Sequence, residues 1–167
     1  MAHTSVNELE SRFRVILEKL PPLAGAEVVN FAMENFRQQG FGSPGSWPKR
    51  KNPTKWGTVP RNSGRNLLID TGNLKRSIRV LRFNQDEVVI GTDVPYAKVH
   101  NEGFKGSVIQ SVKSFTRKSS KGFSNVKAFT RTIQQDIPAR PFLGDSPVLT
   151  DRLKKMITSE IMKAFNQ

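Results

Sequence analysis

Apolar residues recur every three or four positions in three stretches of the chain, which is the spacing of amphipathic helices. These stretches span residues 5–20, 22–39 and 145–167. Pro21 and Pro22 separate the first two stretches. Because proline lacks a backbone donor and its ring clashes with the preceding turn, the sequence predicts that one helix stops at these prolines and a second follows. The chain is therefore expected to start with two helices and to end with one.

Between the helical stretches the pattern changes to one that is typical of strands. Residues 79–83 combine basic and apolar side chains, residues 88–92 are rich in β-branched ones, and a short polar turn separates the two, which predicts two paired strands. Further along, the hexapeptide Val112–Arg117 recurs with one substitution as Val126–Arg131. Both copies alternate with a period of two, so the sequence predicts a long β-hairpin over residues 108–133.

These elements together predict an α+β fold. A mainly antiparallel sheet with a long β-hairpin is expected to pack against the N-terminal and C-terminal helices. The chain of 167 residues suits a single domain, 1–167, with one core. Its expected parts are N-terminal helices at 1–39, a basic Gly/Pro-rich loop at 40–66, a β-rich core at 67–144 and a C-terminal helix at 145–167.

Composition narrows the chemistry that the chain is expected to perform. The absence of cysteine excludes disulfides, thiolate catalysis and iron–sulfur clusters, and two histidines leave little scope for a metal site. No cofactor and no metal is therefore expected. No apolar run approaches the roughly 18 residues that span a bilayer, so a membrane is not an expected partner.

Positive charge is concentrated in two segments. The chain has 27 basic and 14 acidic side chains, a net charge of +13. Residues 47–80 carry nine basic groups and one acidic group, and residues 105–144 carry eight and one, so these segments account for the excess. Such charge suits contact with a polyanion or an acidic protein, although blocks of charge are also common on simple solvated faces.

The loop at residues 40–66 combines glycine, proline, tryptophan and basic residues. A stretch this long without secondary structure is unusual inside a compact domain, which indicates either a function or mobility. Its basic residues and tryptophans are suited to contact phosphates and to stack on bases. Alternatively, Trp47 pins the loop to the core by burying its ring.

Two short motifs suggest catalysis but lack the groups that would complete it. Asp70-Thr71-Gly72 follows an apolar run, as in aspartic proteases, which need two aspartates that share a proton. One copy per chain would require a symmetric dimer, and the residues directly after the motif look helical. His100 is a candidate general base, but no nucleophile motif or metal-spaced pair of carboxylates accompanies it.

Five groups of residues occur in the same order as in a known protein family. They are Trp47, Leu68–Ile78, Val89–Thr92, Tyr96–Gly103 and Ile137–Gly144. With these groups the chain resembles the tailed-bacteriophage virion-morphogenesis family, which includes tail-completion, tail-terminator and neck proteins. The resemblance covers about residues 40–160, and Ile137–Gly144 is its most specific part.

The resemblance implies a structural protein without catalytic activity. Related proteins form rings, commonly sixfold, around the DNA path, and they complete the tail or join it to the head. The chain is therefore expected to be a virion component that assembles in the host cytoplasm as a homo-oligomeric ring. Its expected partners are tail-tube or head–tail connector proteins, and its positive charge is expected to face either DNA in the lumen or an acidic ring.

The basic loop, the hairpin and the segment after it are expected to supply the oligomer and partner contacts. The residues assigned to this role are aromatic or basic, and they are Trp47, Lys49, Arg50, Lys51, Lys55, Trp56, Lys113, Phe115, Arg117, Lys118, Lys121, Lys127, Phe129, Arg131, Arg140 and Phe142. Two other functions remain open on the sequence alone. One is a freestanding basic nucleic-acid-binding protein, which the charge supports, and the more remote one is an aspartic protease acting through Asp70.

Overall fold

The structure of the protein, a computed structural model, describes residues 6–49, 66–120 and 122–165. In chain order its elements are α1 (Val6–Gln38), α2 (Asn73–Ser77), β1 (Arg79–Phe83), β2 (Val88–Gly91), α3 (Ala97–Glu102), β3 (Phe104–Val112), β4 (Phe115–Ser119), β5 (Gly122–Val126), β6 (Phe129–Ile137) and α4 (Pro147–Phe165). The predicted α+β fold, with helices at both ends of the chain and antiparallel strands between them, is confirmed.

The first helix is continuous, so the prediction of two helices separated by Pro21 and Pro22 is wrong. Both prolines lie inside α1, and Pro21 is buried. Each proline removes one backbone hydrogen bond, but its fixed φ of about −65° is itself helical, so a helix continues where packing compensates for the lost bonds. Here α1 is packed on both sides of the prolines. Phe31 is buried on one side, and Phe13 meets Phe165 of α4 edge-on at 5.4 Å between centroids on the other.

The core forms where the second half of α1 meets later segments of the chain. Phe36 is fully buried, and its ring centroid lies 5.6 Å from that of Trp47 and 5.2 Å from that of Phe142. Leu74 of α2 and Ile78 belong to the same cluster. Because each buried aromatic ring removes a large apolar area from water, this aromatic cluster is a main source of stability.

The six strands form three separate two-stranded antiparallel ribbons and not one continuous sheet. β1 and β2 pair with an irregular register around Leu81, and they lie against α1. The approach is close at Gly25, where a Cβ atom would meet a methyl group of Val80 at 2.8 Å. The predicted antiparallel pairing is therefore present, but no strand in the described ranges has two neighbours.

Strands β3 to β6 form one long hairpin in two parts. β3 pairs with β6, and β4 pairs with β5. The hairpin spans residues 104–137, four residues further at each end than the predicted 108–133. We call β3 and β6 the hairpin base and the intervening residues 113–128 the hairpin tip. The strands of the hairpin pack chiefly against each other, so the hairpin projects from the body.

The repeated hexapeptide pairs with itself across the hairpin. Val112 of the first copy lies opposite Phe129 of the second, and Phe115 of the first lies opposite Val126 of the second. The antiparallel arrangement thus matches the valine of each copy with the phenylalanine of the other. Such pairs between an aromatic and a β-branched side chain favour this register over its neighbours.

α4 runs antiparallel to α1 along one side of the body. Its Arg152 forms ion pairs with Glu34 at 2.7 Å and with Glu27 at 3.6 Å, and the guanidinium carbon lies 5.6 Å from the centroid of the Phe31 ring. Because these contacts are partly exposed, they add little to the free energy of unfolding, but they define how α4 is oriented against α1. Within the described residues, neither α1 nor any other helix has the length and apolar character needed to cross a membrane.

Candidate docking surfaces

The segment Ile137–Gly144 attaches the hairpin to the body. Its two prolines interrupt regular backbone bonding, so its backbone groups need side-chain partners. Asn101 accepts from the N–H groups of Phe142 and Leu143 at 2.9 and 3.1 Å, and it donates from Nδ2 to the Leu143 carbonyl at 3.0 Å. Asn35, buried in α1, donates to the Phe142 carbonyl at 3.3 Å. Two asparagines therefore fix residues 138–144, which are neither helix nor strand.

Three residues that the sequence assigned to partner contacts are buried. They are Trp47, Arg140 and Phe142, with exposed fractions of 4%, 6% and 2%. Trp47 donates from Nε1 to the Pro141 carbonyl at 2.8 Å. Arg140 donates from Nε and Nη2 to the carbonyls of residues 48 and 49 at 2.9 and 3.2 Å. In the structure these side chains hold segments of their own chain together, and their role in partner contacts stays a prediction.

A cavity of about 460 Å³ brings together both catalytic candidates of the sequence. Its lining includes Asp70, Tyr96, His100 and Arg140. Burial, and after it the Arg140 cation, lowers the pKa of His100, whose Nδ1 is buried without a hydrogen-bond partner. The imidazole is therefore neutral at pH 7.

The surroundings of Asp70 differ from those of a protease aspartate. Asp70 is exposed on the turn that precedes α2, whereas the protease motif needs an aspartate cradled by strands. The described ranges also contain no group of three or more His, Asp or Glu side chains that suits a metal ion.

One face of the hairpin base is mostly apolar. Alternation along the paired strands places ten residues on it, of which six are apolar, namely Phe104, Val108, Val112, Phe129, Ile133 and Ile137. The face also carries Gly106, Gln110, Arg131 and Gln135, and Arg131 donates to Gln110 at 2.8 Å. Phe129 is 43% exposed, and among the described residues no side chain of the base is fully buried. The opposite face is mainly polar, although Ile109 is 76% exposed there. An apolar strip on a projecting ribbon is typical of a surface that a partner covers.

The hairpin tip is cationic and exposed. Lys113, Arg117, Lys118 and Lys127 are all exposed, and the Lys118 ammonium lies 5.8 Å from the ring centroid of Phe123. Residues 113–114 and 127–128 carry no ladder pair, and they are the second and third positions of the two hexapeptide copies. Lys113 and Lys127 therefore occupy equivalent places on the two strands.

Five of the residues assigned to partner contacts lie outside the described ranges, namely Arg50, Lys51, Lys55, Trp56 and Lys121. Apart from the buried Trp47, the other assigned residues on the loop and hairpin are exposed, and these are Lys49, Lys113, Phe115, Arg117, Lys118, Lys127, Phe129 and Arg131. The structure thus gathers seven assigned residues on one projection and separates them from the buried Trp47, Arg140 and Phe142. Their contact role stays a prediction.

A second apolar surface was missed by the sequence reasoning. It lies where the first half of α1 runs beside the end of α4, and we call it the two-helix face. Its exposed members are Phe13 at 37%, Leu17 at 56%, Ile157 at 36% and Phe165 at 53%. The helical spacing of these residues is visible in the sequence, but such spacing predicts a face buried in the core. The charged residues interspersed between positions 8 and 19 are the available signal that this half of α1 is exposed.

Comparison with known protein families gives a match that covers nearly the whole chain. The model of the phage virion morphogenesis family matches residues 7–164. The match extends the resemblance of residues 40–160 to α1 and to the rest of α4. No curated protein and no solved structure shows a significant match.

Proposed function

Because the chain belongs to the phage virion morphogenesis family, we propose that it is a structural part of the virion that completes the tail or joins it to the head. It acts as a homo-oligomeric ring and not through catalysis. Its other partners are tail-tube or head–tail connector proteins. The observation that carries this proposal is the projecting hairpin, whose base presents an apolar strip outside the core of its own chain.

A ring needs two different surfaces on each subunit that fit one another. The hairpin base is one, and the two-helix face of the next copy is the other. Both are mostly apolar and both extend beyond the core, over lengths of about 30 Å for nine residues of strand and about 22 Å for the first fifteen residues of α1. Neither surface carries a large net charge. The hairpin base has two basic groups and one acidic group, and residues 6–20 of α1 have three of each, so this pairing rests on apolar contact.

The experiment is to make the apolar face of the hairpin base polar while keeping its strands. In the double variant Val112→Thr/Phe129→Thr, threonine retains a high strand propensity, so we expect the fold to persist and self-association to weaken at least tenfold. The matched control is Ile109→Thr, which removes an exposed apolar side chain from the opposite face of the same strand. Sedimentation velocity over a range of concentrations measures both. Equal weakening by the two variants would contradict the proposed docking face.

A second candidate function, a freestanding nucleic-acid-binding protein, is favoured by the cationic hairpin tip. The two candidate functions predict different locations of the protein after particle assembly. A virion component co-purifies with mature particles at a fixed copy number per tail, whereas a freestanding protein stays behind in the lysate. Quantitative mass spectrometry of purified particles distinguishes them.

A further inference from the structure

The hairpin tip differs from the hairpin base in charge. Residues 113–128 contain five basic side chains and no acidic one. Four of the five lie in the described ranges, and none of these four forms an ion pair there. The tip is therefore a concentrated and uncompensated cationic surface at the far end of a projection.

A second copy of this chain is poorly suited to neutralise that charge. Among the described residues, at least seven of the acidic groups already form ion pairs with cations of the same chain, and these are Glu8, Glu10, Glu27, Glu34, Glu87, Asp93 and Glu160. Each added copy also brings a further net charge of +13. Assembly therefore raises the repulsion between tips, which favours a different, anionic molecule as the partner of the tip.

The shape and side chains of the tip suit a nucleic acid. β4 and β5 form a two-stranded antiparallel ribbon, which is one of the two elements that the major groove of B-DNA admits. Lysine and arginine alternate there with serine, threonine and asparagine, all of which donate hydrogen bonds to phosphate oxygens. Duplex DNA also offers the dense, regular negative charge that matches several cations at once.

We propose that the hairpin tip binds the sugar–phosphate backbone of double-stranded DNA without reading its sequence. Lys113, Arg117, Lys118 and Lys127 contact phosphates, and the hairpin base stays free to dock on a neighbouring copy. The proposal does not depend on ring formation, because the tip and the base are separate parts of the hairpin.

The test is a titration of a fluorescent duplex of about 30 base pairs at 50 and 200 mM NaCl, with anisotropy as the readout. Four phosphate contacts give a slope of log K against log[salt] of about −3.6, so the fourfold rise in salt weakens binding about 150-fold. The variant Lys113→Gln/Arg117→Gln/Lys118→Gln/Lys127→Gln loses most of this slope. The matched control Lys19→Gln/Lys98→Gln/Lys154→Gln/Lys155→Gln removes the same charge from exposed positions outside the hairpin and keeps the slope.

Three results would overturn the proposal. The first is no duplex binding at 50 mM NaCl, and the second is equal loss of affinity in the tip variant and its control. The third is displacement of the duplex by poly-glutamate at the same charge concentration, which would indicate an acidic protein as the partner. Sedimentation velocity of the tip variant keeps the two proposals apart, because the assembly depends on the base and is expected to persist when the tip is neutralised.

Discussion

At the residue scale, the fold depends on polar side chains that satisfy distant backbone groups. Arg140 illustrates this, since it donates to carbonyls of residues 48 and 49, more than ninety positions earlier in the chain. In the sequence, Ile137–Gly144 is the most specific part of the family resemblance. The sequence could not show that Arg140 and Phe142 are buried, because the groups that satisfy a buried arginine come from another part of the chain.

His100 makes stability depend on pH. Its pKa in the folded protein is lowered by burial and by the Arg140 cation, whereas the unfolded chain takes up the proton near pH 6.5. Between these two pKa values the unfolded state binds more protons, so the free energy of unfolding falls as the pH drops below about 6.5. We expect His100→Gln to flatten this dependence at and below about pH 6.5, as followed by urea unfolding.

The control for this prediction is His3→Gln, which removes the other imidazole of the chain. It is expected to leave the pH dependence largely in place. A wild-type and a His100→Gln protein with the same slope of stability against pH would show that the buried imidazole carries none of the effect.

At the element scale, the hairpin was predictable in kind but not in extent. Alternation and the repeated hexapeptide identified its strands. The repeat also predicts the pairing register, because only one antiparallel alignment pairs the valine of each copy with the phenylalanine of the other. Its base was underestimated because Phe104–Ser107 and Gln134–Ile137 carry a glycine, a serine and two glutamines, which weaken a strand pattern.

For α1 the prediction was wrong because packing overrode the local rule that proline ends a helix. Pro21 and Pro22 predict a stop, and yet the helix continues. The sequence alone could not reveal that α4 would pack beside the first half of α1 and hold it in line with the second half. Packing between elements far apart in sequence decided the outcome.

Gly103 controls the angle at which the hairpin leaves the body. Its φ of 81° and ψ of 171° suit glycine almost exclusively, and a Cβ atom there would meet the backbone nitrogen of Ala139 at 2.8 Å. We expect Gly103→Ala to lower the free energy of unfolding by about 2–5 kcal/mol, since backbone strain and a clash act together. Thermal or urea unfolding measures this loss.

Gly45 provides the matched control, because it also has a positive φ, 68°, but a Cβ atom there would have no neighbour within 4 Å. Gly45→Ala is expected to cost only about 1–2 kcal/mol. Similar losses at the two positions would mean that the contact between Gly103 and Ala139 does not restrict the hairpin.

At the scale of the whole molecule, the chain consists of a packed body and two mostly apolar surfaces that its own core leaves uncovered. The body was predictable from the sequence as an α+β domain with a family resemblance. The two-helix face could not be predicted as an exposed surface, because an apolar stripe on a helix has the same sequence pattern whether its own chain or another copy covers it. The proposed ring follows from matching the two surfaces on neighbouring copies.

The pairing of the hairpin base with the two-helix face of the next copy can be tested by cysteine cross-linking, because the chain has no native cysteine. Protein carrying Val112→Cys on the hairpin base is mixed with protein carrying Leu17→Cys on the two-helix face, and a short bis-maleimide reagent joins neighbouring thiols. If the two surfaces pair, we expect a cross-linked product that contains one chain of each kind, at about twice the single-chain mass of 18.8 kDa. We expect little such product when Ile109→Cys replaces Val112→Cys. Equal cross-linking from both faces of the base, or none from either, would contradict this pairing.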